Sequence, residues 1–233
     1  MDGQPAEPLE SRDWAYVTLV SAVPGLSLDS RFALAVQFVL FEGIAIGLAA
    51  WYSRWEALLF ATIAIAVATI GSGLMLLLSD KVRALDPPAR YRQALFHSSI
   101  DVVMGLVAFV GLLTYLLVSG RGTLLQRVLG DPVPAPAIFF ALLVAWDLSY
   151  RIGTAWWASI TGLWRAATFG RGLPTSIRRK YALVDLFTLA FAGLQLLLVP
   201  FLWGDRVLAW LVLGHVVAVA IVSSLAIGLQ LRG

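Results

Sequence analysis

Residues 57–79 read ALLFATIAIAVATIGSGLMLLLS, a run without one charged side chain. As a helix rising 1.5 Å per residue it would extend about 34 Å, enough to cross a hydrocarbon core of about 30 Å. Lipid offers backbone amides no partner, so such a run has to be a helix that bonds within itself. Working outward, the same reasoning places a span at 32–52, interrupted by Gln37 and Glu42. It turns into the first run between Trp51 and Trp55, residues that fit the aromatic belt of a membrane interface. Further spans follow at 100–118, 137–157, 182–203 and 207–229, the last two joined by the short turn Gly204, Asp205 and Arg206.

Composition agrees with this reading. The chain of 233 residues is 60% hydrophobic and 13% charged, with a mean hydropathy of +0.84, against roughly 45–50% and about 25% in soluble domains. In water it would expose far more apolar surface than a soluble monomer carries. The expected fold is therefore all-α, an integral membrane six-helix bundle. Its organisation is a segment at 1–31 followed by one transmembrane domain at 32–229. Residues 13–23, with Trp14, Tyr16, Val17 and Val20, are expected to form an interfacial helix that Pro24 and Gly25 stop. Ala66 to Leu78 resembles Ala218 to Leu231, and Asp101 and Asp185 open the third and fifth spans. Three successive helical hairpins would account for both features, and so would the chance likeness of apolar helices.

The connections carry helix punctuation. Asp86, Pro87 and Pro88 predict a helix that runs through Arg90, Arg92 and His97 into the third span. Pro132, Pro134 and Pro136 precede the fourth span, and Gly170, Gly172 and Pro174 precede the fifth.

Net charge is +3, but the basic residues are spread over short loops, without the clustered face that tracking nucleic-acid phosphates requires. Their distribution instead reports orientation. Twelve of the 17 Lys and Arg residues lie on the side of both chain ends and four lie opposite, with Arg151 left inside the membrane. The positive-inside bias predicts a multi-pass cell-membrane protein with both termini cytoplasmic. The first thirty residues carry Asp2, Glu7, Glu10 and Asp13 and lack the basic flank of a signal peptide. The first span is thus expected to act as its own insertion signal.

A charged side chain near mid-bilayer costs about 2.5–3.5 kcal/mol and needs a partner. Helical rise places Glu42 and Asp147 both about 15 Å from the end-bearing side, with Arg151 near 9 Å and Gln37 near 8 Å. These four are expected to form an intramembrane polar cluster. Asp147 and Arg151 are also an i, i+4 pair in the favourable acid-before-base order. A surplus carboxylate in such a cluster suits a proton or small-cation path. It suits equally a structural tie between the first and fourth spans, and Gly43 and Gly47 beside Glu42 would let another helix approach.

Gln195 and His215 share a level in the outer half and form a second expected polar pair. His215 and His97 lie about 20 Å apart along the membrane normal, too far for one haem iron or metal ion to bridge. With no cysteine in the chain, no cofactor or metal site is expected. Asp101 and Asp185, together with Arg178, Arg179 and Lys180, are expected at the cytoplasmic interface, the two acids paired with Arg or Lys there. There is no Walker loop, Rossmann fingerprint, HExxH or serine elbow, and no span holds a lysine for a retinal Schiff base. The trio Gly71, Ser72 and Gly73 suits close helix packing better than phosphate binding.

The six-span layout, the ratio of 15 Arg to 2 Lys and the segment from Phe32 to Glu42 resemble small polytopic membrane proteins of prokaryotic, archaeal-leaning type grouped as families of unknown function. That resemblance implies no activity and no catalytic residue. Two functions remain open: a small transporter or proton- or cation-conducting protein, and a non-catalytic scaffold, accessory subunit or lipid-interacting protein. The lipid bilayer is the expected neighbour, and a membrane-protein partner or homo-oligomer would suit the second function.

Overall fold

The uncharged run becomes the body of α2 (Trp55–Arg83), which follows α1 (Ser30–Trp51) after a tight turn. The protein is described here from a computed structural model that defines residues 30–118 and 124–232. The interfacial helix expected at 13–23 lies outside these residues. Then come α3 (Ala89–His97), α4 (Ile100–Val118), α5 (Leu124–Leu129), α6 (Ala135–Phe169), α7 (Thr175–Leu194), α8 (Val199–Leu202) and α9 (Arg206–Arg232). Among the described residues there is no strand, and six helical segments are long and apolar enough to cross a membrane. The chain is a polytopic all-α membrane bundle. We call the side holding Arg31 and Arg232 the terminal side, and the side of the α1–α2 turn the far side.

Three features depart from the sequence-based expectation. The helix begun by Pro87 and Pro88 does not run unbroken into the third span: it stops at His97, Ser99 adopts a left-handed φ of 55°, and α4 starts afresh at Ile100. The fourth span does not end near Trp157. As α6 it runs 35 residues to Phe169, because Ser159, Thr161, Gly162, Arg165 and Ala166 turn inward and are buried. The fifth span changes pitch, passing from α7 through a 3-10 turn at Gln195–Leu198 into α8. Pro200 explains the change, since it lacks an N–H and its ring crowds the carbonyl four residues earlier, at Leu196.

Sequential partners pack along each other as three hairpins: α1 on α2, α4 on α6, and α7 on α9. The α4–α6 pair meets backbone to backbone, for a Cβ on Gly153 would strike the Gly105 nitrogen. The trio in α2 is likewise a packing device, since Gly71 lies beneath the ring of Phe191. Trp157 Nε1 donates to the Ala94 carbonyl at 2.7 Å, tying α3 to α6. The core sits between α2, α6 and α7, while α1 stands at the periphery against α2.

Candidate functional site

The four residues of the expected cluster divide into two groups. Thr62 on α2 donates to Glu42 Oε1 at 2.6 Å, while Glu42 Oε2 has no partner. Arg151 donates to Asp147 through Nη2 at 2.6 Å and Nε at 3.4 Å, entirely within α6. Glu42 therefore does not meet Arg151. Depth along the normal is one coordinate only, and Glu42 lies roughly 140° around α1 from Gln37, facing α2. Gln37 does approach Asp147: both line a void of about 10 Å³ bounded also by Phe41, Ile65 and Thr69. That volume suits about one water, and Gln37 Oε1 has no other partner.

Gln195 and His215 do not form the expected bond. Both side-chain heteroatoms of each are without a hydrogen-bond partner. His215 instead sets its ring edge-on to Trp156 at 5.8 Å between centroids. Nor do Gly43 and Gly47 receive a helix, since both are exposed and a Cβ on either would meet nothing within 4 Å.

At the terminal side the structure assembles a polar network. Arg165 Nη2 donates to Asp185 Oδ2 at 2.7 Å and Oδ1 at 2.9 Å, and Arg165 Nη1 donates to Tyr91 Oη at 2.8 Å. Gln230 Nε2 adds a bond to Asp185 Oδ2 at 3.1 Å. The guanidinium carbon lies 4.3 Å from the Tyr181 ring centroid and 5.0 Å from that of Tyr91, and Tyr91 meets Tyr181 edge-on. Arg165 and Asp185 are both buried. Asp185 thus pairs with an arginine, but inside the bundle rather than at an interface, because the longer α6 carries Arg165 inward. Gly162 makes the room, for a Cβ there would lie 2.6 Å from Asp185 Oδ1.

Asp101 is also buried, and it accepts from Tyr150 Oη at 3.0 Å rather than from Arg or Lys. Arg179 and Lys180 are exposed, whereas Arg178 is buried, donates to Thr175 Oγ1 at 3.3 Å and leaves Nε and Nη1 unpartnered. Among the described residues, with Arg165 set aside as buried, ten Lys and Arg residues lie toward the terminal side and Arg54, Arg127 and Arg206 toward the far side.

The far side holds a cavity of about 210 Å³. Its walls are leucines, other apolar side chains and alanines at helical spacing, the last including Ala45 and Ala49 on α1, Ala57 and Ala61 on α2, and Ala141 and Ala145 on α6. Tyr52 and Arg54 stand at its mouth, and Arg54 lies over Gly130, where a Cβ would strike its guanidinium. Gln195, fully buried and unpartnered, lines the deep end. An apolar wall broken by one polar group is the usual form of a small-molecule site.

The model of a family of unknown function, DUF7530, matches residues 10–226, almost the whole chain. This chain belongs to the DUF7530 family. No curated protein and no solved structure matches it. The family match spans every part of both polar regions except Gln230. In this DUF7530 chain the sequence reading missed Arg165, Tyr91, Gly162 and the cavity. Arg165 looked like a loop arginine because the hydrophobic run thins after Trp157. The cavity did leave a trace, the i, i+4 alanines on three helices, but alanine pairs equally mark tight packing, and only the fold tells a gap from a contact.

Proposed function

We propose that this membrane protein binds a lipophilic molecule in its far-side cavity, the lipid-interacting alternative of the two functions left open by the sequence. The observation that carries this is an apolar space of about 210 Å³. Left unfilled, the apolar lining would forgo its dispersion contacts. Water does not settle in space lined this way, since each molecule needs about two to four polar partners. An acyl, prenyl or ring system supplies those contacts. The arginine and lysine bias supports a cytoplasmic terminal side, an orientation that would put the cavity in the outer leaflet.

A direct test is photolabelling in phosphatidylcholine vesicles with a diazirine-bearing hydrocarbon. Label is expected on the peptides holding Ala61 and Ala145, and Ala145→Leu should reduce it severalfold while labelling of lipid-facing Trp210 stays constant. Equal labelling of wild type and variant at the cavity would end the proposal.

Ion conduction finds one supporting observation, the void shared by Gln37 and Asp147. It ranks second because that space suits about one water, Asp147 is already held by Arg151, and Glu42 faces α2. If it holds, Asp147→Asn should abolish a proton or cation flux that reconstituted wild type carries. Absence of wild-type flux under every gradient would remove it.

A further inference from the structure

We infer that the cavity selects an uncharged lipophilic molecule whose polar group both donates and accepts a hydrogen bond, a long-chain or ring-bearing alcohol, phenol or carboxamide, seated on Gln195. This rests on the proposal that the cavity holds a lipophilic molecule, and adds what that molecule must carry.

Gln195 is the deciding residue. It is 0% exposed, lines the cavity, and has neither its amide oxygen nor its amide nitrogen bonded. Buried amides are almost always satisfied, and a primary amide presents both donors and an acceptor. A hydroxyl meets both at once: its oxygen accepts from Nε2 and its hydrogen reaches Oε1. An ester or ketone carbonyl meets the nitrogen alone and leaves the oxygen unmet. A carboxylate does the same and also buries a charge. Among the lining residues the one cation is Arg54, at the mouth, half exposed and already 3.4 Å from Glu56. The deep end therefore offers an anion nothing.

Placement in the fold supports the same choice. Gln195 opens the 3-10 turn imposed by Pro200 and lies nine residues before Gly204 at the far side, roughly 14 Å along the axis. The polar group of the ligand is thus drawn below the interface, to an amide with no exposed surface, and its apolar body occupies the apolar space toward Tyr52.

The experiment is competition against a photoreactive, diazirine-bearing hexadecanol in phosphatidylcholine vesicles holding the full-length protein. Competitors are hexadecanol, methyl hexadecanoate, hexadecanoate and hexadecane at equal mole fraction, read as loss of label on the cavity peptides. Hexadecanol should compete roughly tenfold better than the other three. Gln195→Leu should erase that preference while a diazirine-bearing hydrocarbon still labels the cavity, and Gln195→Met serves if the leucine variant does not fold. Equal competition by all four compounds, or an alcohol preference that survives loss of the amide, overturns the selection by Gln195 and leaves the cavity proposal standing. If neither probe labels the cavity in wild type, the cavity proposal itself fails.

Discussion

At the terminal side of the bundle two opposite charges are buried and surrounded by partners; at the far side one neutral amide is buried with none. Arg165 has Asp185, Tyr91 and the Tyr181 ring, and Asp185 has Gln230 besides. Gln195 is fully buried among the residues that border a space of about 210 Å³. The first arrangement is closed around its ion pair, since removing Arg165 or Asp185 strands the opposite charge, although Arg165 Nε makes no bond. The second is open, since its polar group is complete only when something else arrives. A closed network fixes how helices sit, and an open one is a place for a ligand.

The sharpest way to break this contrast is Arg165→Ala. It strands Asp185 in the core and should lower stability by about 3–5 kcal/mol, read from thermal unfolding in detergent. Pairing it with Asp185→Leu should restore a good part of that loss, because no unpaired charge remains. A double variant as unstable as the sum of the two singles would mean that the ion pair is not the unit described here.

Gly162→Ala comes next. The added methyl would press on Asp185 Oδ1 at 2.6 Å, and forced repacking of that kind costs about 1–3 kcal/mol. No change in the melting temperature would show that the carboxylate has slack and that the network is looser than its distances imply.

The far side should respond with the opposite sign. Ala145→Leu, which directs apolar atoms into the cavity, should raise the stability of delipidated protein by about 0.5–2 kcal/mol. Destabilisation would show that the space closes in the absence of ligand. The smallest effect belongs to Gln195→Leu. Removing a buried amide that bonds nothing should not lower stability, measured on protein stripped of lipid. A loss like that of Arg165→Ala would reveal a partner for Gln195 inside the bundle and reduce the contrast to one of degree.

How far the sequence reached differs between the two regions and within them. The sequence marks Asp185 as an acid in need of a basic partner, and its partner is basic, yet Arg165 lies beyond the apolar run 137–157 that marks the fourth span. Glu42, Asp147 and Arg151 were placed at matching depths, but depth leaves rotation about each helix axis free, and Glu42 turned to Thr62. Gln195 and His215 share a level in the same way and face different neighbours. Gly43 and Gly47 have the spacing of a packing motif, and in this chain that face is turned outward. In each case the sequence supplied height along the membrane normal and could not supply azimuth.

The sequence by itself determined that this chain is a bundle of membrane-crossing helices and roughly where each begins, because burial of backbone polar groups in lipid leaves a long apolar run no other structure. Hydrophobic length and the scarcity of charge are local properties, legible one segment at a time. The tertiary structure alone decided which buried polar groups meet, that α6 continues inward far enough to deliver Arg165 to Asp185, and that alanines on three helices enclose a space instead of closing on each other. Those outcomes depend on the rotation and separation of helices, which are set by side chains distant in the chain competing for the same contacts.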